Sequence, residues 1–226
     1  DFEIFLDFYF GGVFMKLNHN DFRVYAVTDR SWCEGEEAFF RQIRDAASGG
    51  VRVFQLREKN LSPECLLALA ERFTALCKEL NVISIINDFP EVARACGADG
   101  VHVGQADLAV SQAREILGTG KIIGVSTHSV QEALAAQENG ADYLGVGAAF
   151  STATKSNART VSKDTIRGVA EAVRIPVVAI GGVSCENILQ LKGCGLAGVA
   201  VVSAIFAQPD VKTAAENLIR LWEEGV

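Results

Sequence analysis

The chain has 226 residues, of which 49% are hydrophobic and 22% charged, and its formal net charge is -7. This size suits one globular domain with a large core, because α/β barrels reach it as single domains. The negative charge argues against a general nucleic-acid-binding protein, which would carry a basic stripe, but is compatible with an anionic small molecule held by a few local cations.

The chain begins with an apolar but acidic stretch, DFEIFLDFYFGGVF, that precedes the only methionine, Met15. It lacks the basic start of a signal peptide and is too short and too acidic for a membrane span. We expect residues 1–21 to be an N-terminal extension, whose first fourteen residues are non-native or lie upstream of a native start at Met15, and residues 22–226 to be one folded domain. The alternative is a hydrophobic arm that packs against this domain or a partner subunit.

Six scattered cysteines form no C-x-x-C pair, and the three histidines share no ligand spacing with them. A disulfide framework is not expected in a chain of this length, and the spacing does not fit a zinc site. We therefore expect a cytoplasmic protein without zinc, and no membrane partner.

Eight short runs rich in β-branched residues follow from residue 23 onward. They are RVYAVT (23–28), VRVFQL (51–56), VISIIN (82–87), GVHV (100–103), KIIGVS (121–126), YLGVG (143–147), PVVAI (176–180) and GVAVV (198–202). Such continuous apolar runs are typical of parallel strands that are buried on both faces.

Amphipathic segments separate these runs. The clearest cover 36–48, 63–80, 130–140, 162–173 and 210–224, with shorter candidates at 91–96, 109–117 and 186–192. A weak repeat, GADG (97–100), GADY (140–143) and GLAG (195–198), ends a helix on glycine and leads into a strand. Eight β/α units predict an α/β fold, a single-domain (β/α)8 TIM barrel. A doubly wound open sheet would need G-x-G-x-x-G after its first strand, and VTDRSW (27–32) has none.

Polar residues collect at the carboxyl ends of the predicted strands, where TIM barrels place their chemistry. They comprise Gln55, Arg57, Glu58, Lys59, Asn87, Asp88, Gly104, Gln105, Asp107, Ser126, Thr127, His128, residues 147–156, Gly181, Gly182 and Ser203. The opposite ends carry helix-stopping glycines and ordinary charges. This asymmetry predicts a site at one mouth of the barrel.

Three cations and two carboxylates at this mouth suggest the chemistry of the site. Arg57, Lys59 and Lys155 would each be ordinary surface charges alone, but together they fit a multivalent anion. Asp88 and Asp107 fit Mg2+, which proteins hold with one or two carboxylates plus phosphate oxygens. The plainer alternative for each aspartate is a helix N-cap.

A second anion site is predicted at the ends of the last two strands. Backbone N–H groups near Gly181 and Gly182, with Val202 and Ser203, match the recurrent phosphate site of these barrels. His102 lies in the middle of a strand, which favours a packed or hydrogen-bonded histidine over a catalytic one. Two phosphorylated ligands that meet at Mg2+ suggest a group transfer with diphosphate as the leaving group.

From about Val24 to Trp222, the sequence resembles the thiamin phosphate synthase family. The stretches that carry the resemblance are YAVTD (25–29), QLREKN (55–60), IND (86–88), GADGVHVGQADL (97–108), IGVSTHS (123–129), GADYLGVG (140–147), FSTATK (150–155), VVAIGGV (177–183) and GVAVVSAIF (198–206). The resemblance implies a (β/α)8 barrel that joins 4-amino-2-methyl-5-hydroxymethylpyrimidine diphosphate to 4-methyl-5-(2-phosphoethyl)thiazole. The implied products are thiamin phosphate and diphosphate.

The resemblance also implies a role for each matching residue. The pyrimidine diphosphate would be held by Gln55, Leu56, Arg57, Glu58, Lys59, Asn87, Ser126 and Lys155, and Mg2+ by Asp88 and Asp107. The thiazole phosphate would be held by Thr152, Ala153, Thr154, Gly182, Val202 and Ser203. Arg57, Lys59, Lys155 and Ser126 would carry the catalysis, with Glu58 orienting its cationic neighbours.

The chain departs from the family pattern at three positions. Phe89 stands where the family often has arginine, and Ala148 and Ser151 replace two prolines after the sixth strand. Two other functions stay open at this point. They are a thiazole tautomerase of the same pathway and a non-catalytic sensor of thiamin phosphate, and the sequence also leaves a homo-oligomer open.

Overall fold

A computed structural model describes residues 6–10, 13–104, 109–152 and 159–225, with side chains from residue 18 onward. The elements are β1 (Leu6–Phe10), β2 (Val13–Leu17), β3 (Val24–Val27), α1 (Gly35–Ser48), β4 (Val53–Leu56), α2 (Pro63–Leu80), β5 (Ile83–Asn87), α3 (Pro90–Cys96), β6 (Gly100–Val103), α4 (Val110–Leu117), β7 (Ile122–Thr127), α5 (Val130–Glu138), β8 (Tyr143–Gly147), α6 (Lys163–Ala172), β9 (Val177–Ile180), β10 (Gly198–Val201), α7 (Ser203–Phe206) and α8 (Val211–Gly225). Short 3-10 helices lie at His19–Phe22, Arg30–Trp32 and Ile188–Leu191.

Strands β3 to β10 form a closed parallel barrel. Each strand pairs with the next one along the chain, and β10 closes the barrel by pairing with β3. This topology confirms the predicted single-domain TIM barrel. Its carboxyl-terminal mouth therefore gathers the loops that follow all eight strands,.

Alternation along the strands divides the core into two layers. Phe54 and Leu56 of β4 face outward and pack in the larger cluster between strands and helices. Tyr25, Val53 and Tyr143 belong to a smaller cluster inside the barrel. The interior is thus filled by side chains beneath the mouth, as expected when alternate residues of a barrel strand point inward.

The repeated Gly-Ala-Asp sequence has a structural role at the opposite end. Asp99 accepts hydrogen bonds from the backbone N–H and hydroxyl of Ser84, both at 2.8 Å. Asp142 accepts from the N–H of Ile123 at 2.7 Å and from Arg114 at 2.6 Å. Each aspartate therefore joins the start of its own strand to the start of the preceding one.

Several element boundaries differ from the prediction. Most barrel strands that differ begin or end one or two residues inside the predicted runs. The helix predicted at 186–192 is a 3-10 helix at Ile188–Leu191. Helix α7 and the antiparallel pair β1–β2 were not predicted. The division at residue 21 stays a prediction. Among the described helices, none is long and apolar enough to cross a membrane.

Candidate active site

A cavity of about 200 Å³ lies at the carboxyl-terminal mouth of the barrel. Its lining includes nine of the predicted site residues, namely Gln55, Arg57, Asn87, Ser126, Thr152, Gly181, Gly182, Val202 and Ser203. Tyr25, His102 and His128 also line it and were not among the predicted ligand-binding residues. The fold thus brings residues that are up to 178 positions apart (Tyr25 to Ser203) into one concave site.

A chain of buried hydrogen bonds forms the floor of this cavity. The amide nitrogen of Gln55 donates to the hydroxyl oxygen of Tyr25 at 2.6 Å, and this hydroxyl lies 2.9 Å from that of Tyr143. The Tyr143 hydroxyl lies 2.9 Å from Nδ1 of His102, whose Nε2 lies 2.9 Å from Oγ of Ser126. Burial raises the pKa of both phenols, so both remain protonated and able to donate,.

His102 is therefore a buried, hydrogen-bonded barrel histidine, as its position in the middle of a strand predicts. It also contacts the cavity, with 7% of its surface exposed. His128 at the end of β7 lines the cavity too, and Glu132 accepts hydrogen bonds from its backbone N–H and its ring. The two histidines thus contribute polar atoms to the site, His102 from β6 and His128 from the residue that follows β7.

Arg57 and its neighbours form the rim of the mouth. The backbone N–H of Arg57 donates to the hydroxyl of Thr28 at 3.2 Å, which ties the loop after β4 to the end of β3. Glu58 pairs with Arg30, not with its chain neighbours, through hydrogen bonds of 2.8 and 3.1 Å. Lys59 is exposed and shares an open rim depression of about 390 Å³ with these residues. Arg57 lines both the depression and the central cavity.

Arg30 is a rim residue that the sequence analysis missed. It lies three residues after the end of β3, so a cation placed after the first barrel strand was the available signal. The bidentate geometry matters because a guanidinium and a carboxylate joined by two hydrogen bonds hold each other in one orientation. Arg30 thereby fixes the loop that carries Arg57 and Lys59.

Asp88 adopts a backbone conformation that non-glycine residues rarely take. Its φ angle is +66°, in the left-handed region, and its N–H donates to the carbonyl of His102 at 2.8 Å. It does not cap helix α3, whose N-cap is Phe89 and has no side-chain capping bond. Outliers of this kind cost roughly 1–3 kcal/mol and cluster at functional sites. The N-cap residue of α3 is thus Phe89 and not Asp88.

The loops after β8 and β9 approach each other closely. Gly181 and Gly182 have φ angles of +86° and +69°. A Cβ atom on Gly182 would lie 2.4 Å from the carbonyl oxygen of Ser151. Ala148 donates its N–H to the carbonyl of Arg159 at 3.3 Å, a bond that proline could not make,. The chain thus stabilises the start of this loop by backbone hydrogen bonding where the family often has proline.

Some predicted residues lie elsewhere or outside the described part of the chain. Leu56 is 1% exposed and packs against helices, because strand alternation turns it away from the inward-facing Gln55. Phe89, at the position of the family's arginine, is 42% exposed. Asp107, Ala153, Thr154 and Lys155 lie outside the described residues. Within the described residues, no group of three or more His, Cys, Asp or Glu side chains could hold a metal ion.

Comparison with known proteins gives a consistent result over most of the chain. The sequence model of the thiamine monophosphate synthase family matches residues 24–205. Thiamine-phosphate synthase of Ruminiclostridium cellulolyticum is 45% identical over 202 residues, which covers 89% of this chain and 96% of that protein. The protein of the same name from Fusobacterium nucleatum is 42% identical over 204 residues, covering 90% and 98%.

Solved structures give the same result. Thiamine phosphate pyrophosphorylase from Pyrococcus furiosus superposes with a TM-score of 0.84 at 35% identity, covering 92% of this chain and 98% of that chain. A 3-hexulose-6-phosphate synthase superposes with a TM-score of 0.66 at 17% identity. At that identity the second likeness shows the barrel fold alone.

Proposed function

The chain belongs to the thiamine monophosphate synthase family, and on that premise we propose that it is a transferase that makes thiamin phosphate. Its substrates are 4-amino-2-methyl-5-hydroxymethylpyrimidine diphosphate and 4-methyl-5-(2-phosphoethyl)thiazole, and diphosphate is released. The observation that carries the proposal is the cavity at the barrel mouth. Gln55, Arg57, Asn87 and Ser126 line it together with the glycine pair after β9.

The pyrimidine diphosphate binds on the side formed by β4 to β7. Gln55 is 5% exposed and held by Tyr25, so its amide is already oriented before a ligand enters. Arg57 lies between the cavity and the rim, where its planar guanidinium suits two phosphate oxygens,. Lys59 and Lys155 add positive charge around the same diphosphate.

Mg2+ is the cofactor that we propose for this site, held by Asp88 and Asp107. Carboxylate oxygens are the ligands that this cation prefers. Asp88 follows Asn87, which lines the cavity, and has a left-handed backbone of the kind that clusters at functional sites,. When bound, Mg2+ neutralises negative charge on the diphosphate oxygens. Asp88 and Asp107 are therefore proposed as ligands and not as general bases.

The thiazole phosphate binds on the opposite side of the cavity. Gly182 and Ser203 line it from the loops after β9 and β10, next to Val202. Because glycine has no side chain, the backbone can approach a phosphate closely there. Thr152 lines the same side. We propose Ala153 and Thr154, which follow it in the sequence, as further contacts.

The reaction needs charge stabilisation and alignment more than proton transfer. The bond from the pyrimidine methylene carbon to the diphosphate oxygen breaks, and its electron pair leaves with diphosphate. The aminopyrimidine ring stabilises the cation, and the lone pair of the thiazole nitrogen forms the new C–N bond. Arg57, Lys59 and Lys155 stabilise the departing charge, while the two halves of the cavity hold the reactants in line. Ser126 contacts the pyrimidine side and positions it.

Two other functions are separated from this one by a single assay. The purified protein is mixed with Mg2+ and both substrates, and diphosphate and thiamin phosphate are measured. A tautomerase would isomerise a thiazole substrate without the pyrimidine, and a sensor would bind thiamin phosphate without turnover.

We also propose that residues 22–226 form the catalytic domain, so deletion of residues 1–17 should leave kcat/KM unchanged.

A further inference from the structure

We propose that Tyr143 is a positioning residue whose buried hydroxyl sets the hydrogen-bonding direction of both Gln55 and Ser126. The biological meaning of these two groups rests on the function proposed above. The hydrogen-bonded chain itself does not, because it is defined by four contacts within the barrel. Tyr143 would thereby contribute to the specificity for the pyrimidine without touching it.

Tyr143 is placed to act only through its neighbours. It lies on β8, is 0% exposed and does not line the cavity. Its hydroxyl lies 2.9 Å from the hydroxyl of Tyr25 and 2.9 Å from Nδ1 of His102, and both of these residues do line the cavity. Tyr143 thus links two series of hydrogen bonds, one that runs through Tyr25 to Gln55 and one that runs through His102 to Ser126.

The donor and acceptor roles along these hydrogen bonds follow from the number of protons that each group carries. The Gln55 amide nitrogen donates to Tyr25, so the single hydroxyl proton of Tyr25 is directed to the oxygen of Tyr143,. Tyr143 then has one proton, which it donates to Nδ1 of His102. A neutral imidazole that accepts at Nδ1 carries its proton on Nε2 and donates it to Ser126,. The geometry assigns the Nε2–H tautomer to His102.

The same chain has one other consistent direction, in which every bond is inverted. The Gln55 amide would then turn its oxygen to Tyr25, and His102 would carry its proton on Nδ1. Gln55 and Ser126 lie on different strands, but neither can change direction without the other while Tyr143 connects them. Cooperative chains of this kind stabilise one arrangement more strongly than their bonds do separately.

The direction found here matches the proposed substrate. With its nitrogen bonded to Tyr25, Gln55 keeps its amide oxygen available to accept a hydrogen bond from an exocyclic amino group. The inverted direction would offer an N–H group, which suits a pyrimidine with an oxo group at that position. We therefore infer that Tyr143 helps the site select the 4-amino ring over the 4-oxo ring.

The test compares Tyr143→Phe with Phe22→Leu. The first removes the hydroxyl alone, whereas the second weakens packing next to the Tyr143 ring, whose centroid lies 4.9 Å from that of Phe22. We expect Tyr143→Phe to lower kcat/KM for the pyrimidine diphosphate about tenfold, as for one buried hydrogen bond, without changing KM for the thiazole phosphate. Its preference for the amino over the oxo substrate should also fall. Phe22→Leu should lower the melting temperature and leave both kinetic values unchanged.

Nitrogen NMR of 15N-histidine-labelled protein gives a readout that does not depend on activity, and the chain has only three histidines. In the ligand-free wild type, His102 should be the Nε2–H tautomer, and Tyr143→Phe should give a tautomer mixture. A proton on Nδ1 of His102 in the wild type, or kinetics of Tyr143→Phe that match those of Phe22→Leu, would overturn the inference. A wild type that releases no diphosphate would overturn the proposed function. The His102 tautomer measured by NMR would then be the test of the role of Tyr143.

Discussion

The guanidinium of Arg30 donates two hydrogen bonds, of 2.8 and 3.1 Å, to the carboxylate of Glu58. The pair joins the loop after β3 to the loop after β4, and the Glu58 side chain is only 11% exposed. It explains why three ionised residues, Arg57, Glu58 and Lys59, follow a buried strand. Glu58 anchors the loop through Arg30, and we expect the flanking Arg57 and Lys59 to bind an anion.

Replacement of Arg30 should therefore damage the site from a distance. We expect Arg30→Ala to lower kcat/KM for the pyrimidine diphosphate by about 10- to 100-fold, because a small displacement of Arg57 misaligns the leaving group. Steady-state kinetics with each substrate varied in turn measure this effect. Arg44→Ala is the matched control, since its ion pair with Glu79 is exposed and lies in the outer helices. Equal rates for the two variants would show that the Arg30–Glu58 pair has no role.

Lys155 is expected to act on the leaving group itself. We expect Lys155→Ala to reduce kcat by about 10²- to 10³-fold, because one fixed charge that stabilises the transition state is lost. The melting temperature should change little. Lys163→Ala removes an exposed cation at the start of α6 and serves as the control. An unchanged kcat in Lys155→Ala would remove this residue from the mechanism.

The contribution of the Asp88 charge can be tested separately from that of its left-handed backbone conformation. Asparagine tolerates the left-handed conformation, so Asp88→Asn removes the charge without strain. We expect it to raise the Mg2+ concentration for half-maximal rate at least about tenfold, the equivalent of ~1.4 kcal/mol. Asp88→Ala should in addition lose roughly 1–2 kcal/mol of unfolding free energy. A Mg2+ dependence identical to that of the wild type would contradict the metal-ligand role.

Gly182 is expected to matter through close approach as well as conformation. A Cβ atom there would clash with Ser151 at 2.4 Å, so Gly182→Ala should displace the loop after β8 and raise KM for the thiazole phosphate. KM for the pyrimidine diphosphate should change much less. Gly118→Ala is the control, because Gly118 has a similar φ of +82° with nothing within 4 Å of its Cβ position. Similar kinetics for both variants would reduce the role of Gly182 to backbone strain.

The barrel was predictable because its signals are local. Apolar runs and helix-stopping glycines each act within a few residues. The Gly-Ala-Asp repeat is visible in the sequence, although its aspartates Asp99 and Asp142 bond to the preceding strand. Helix α7 has four residues, too few to show a periodicity. Leu56 shows a limit of the family motif, because strand alternation turns one residue of the motif away from the cavity.

The hydrogen-bonded floor was not predictable from the sequence. Tyr25 and Tyr143 are separated by 118 positions, and each looks like an ordinary apolar member of its strand. Their contact depends on which residues face inward at the same height of the closed barrel. The Arg30–Glu58 pair was missed for a similar reason, since two loops 28 positions apart meet only when β3 and β4 pair.

The release of diphosphate from the two substrates tests the account most directly. The purified chain, with Mg2+ and both substrates, should release one diphosphate for each thiamin phosphate formed. No thiamin phosphate should form when buffer replaces the thiazole phosphate. Removal of Mg2+ by EDTA should stop the reaction, and added Mg2+ should restore it. If authentic substrates and Mg2+ yield neither product, the chain does not catalyse the proposed transfer.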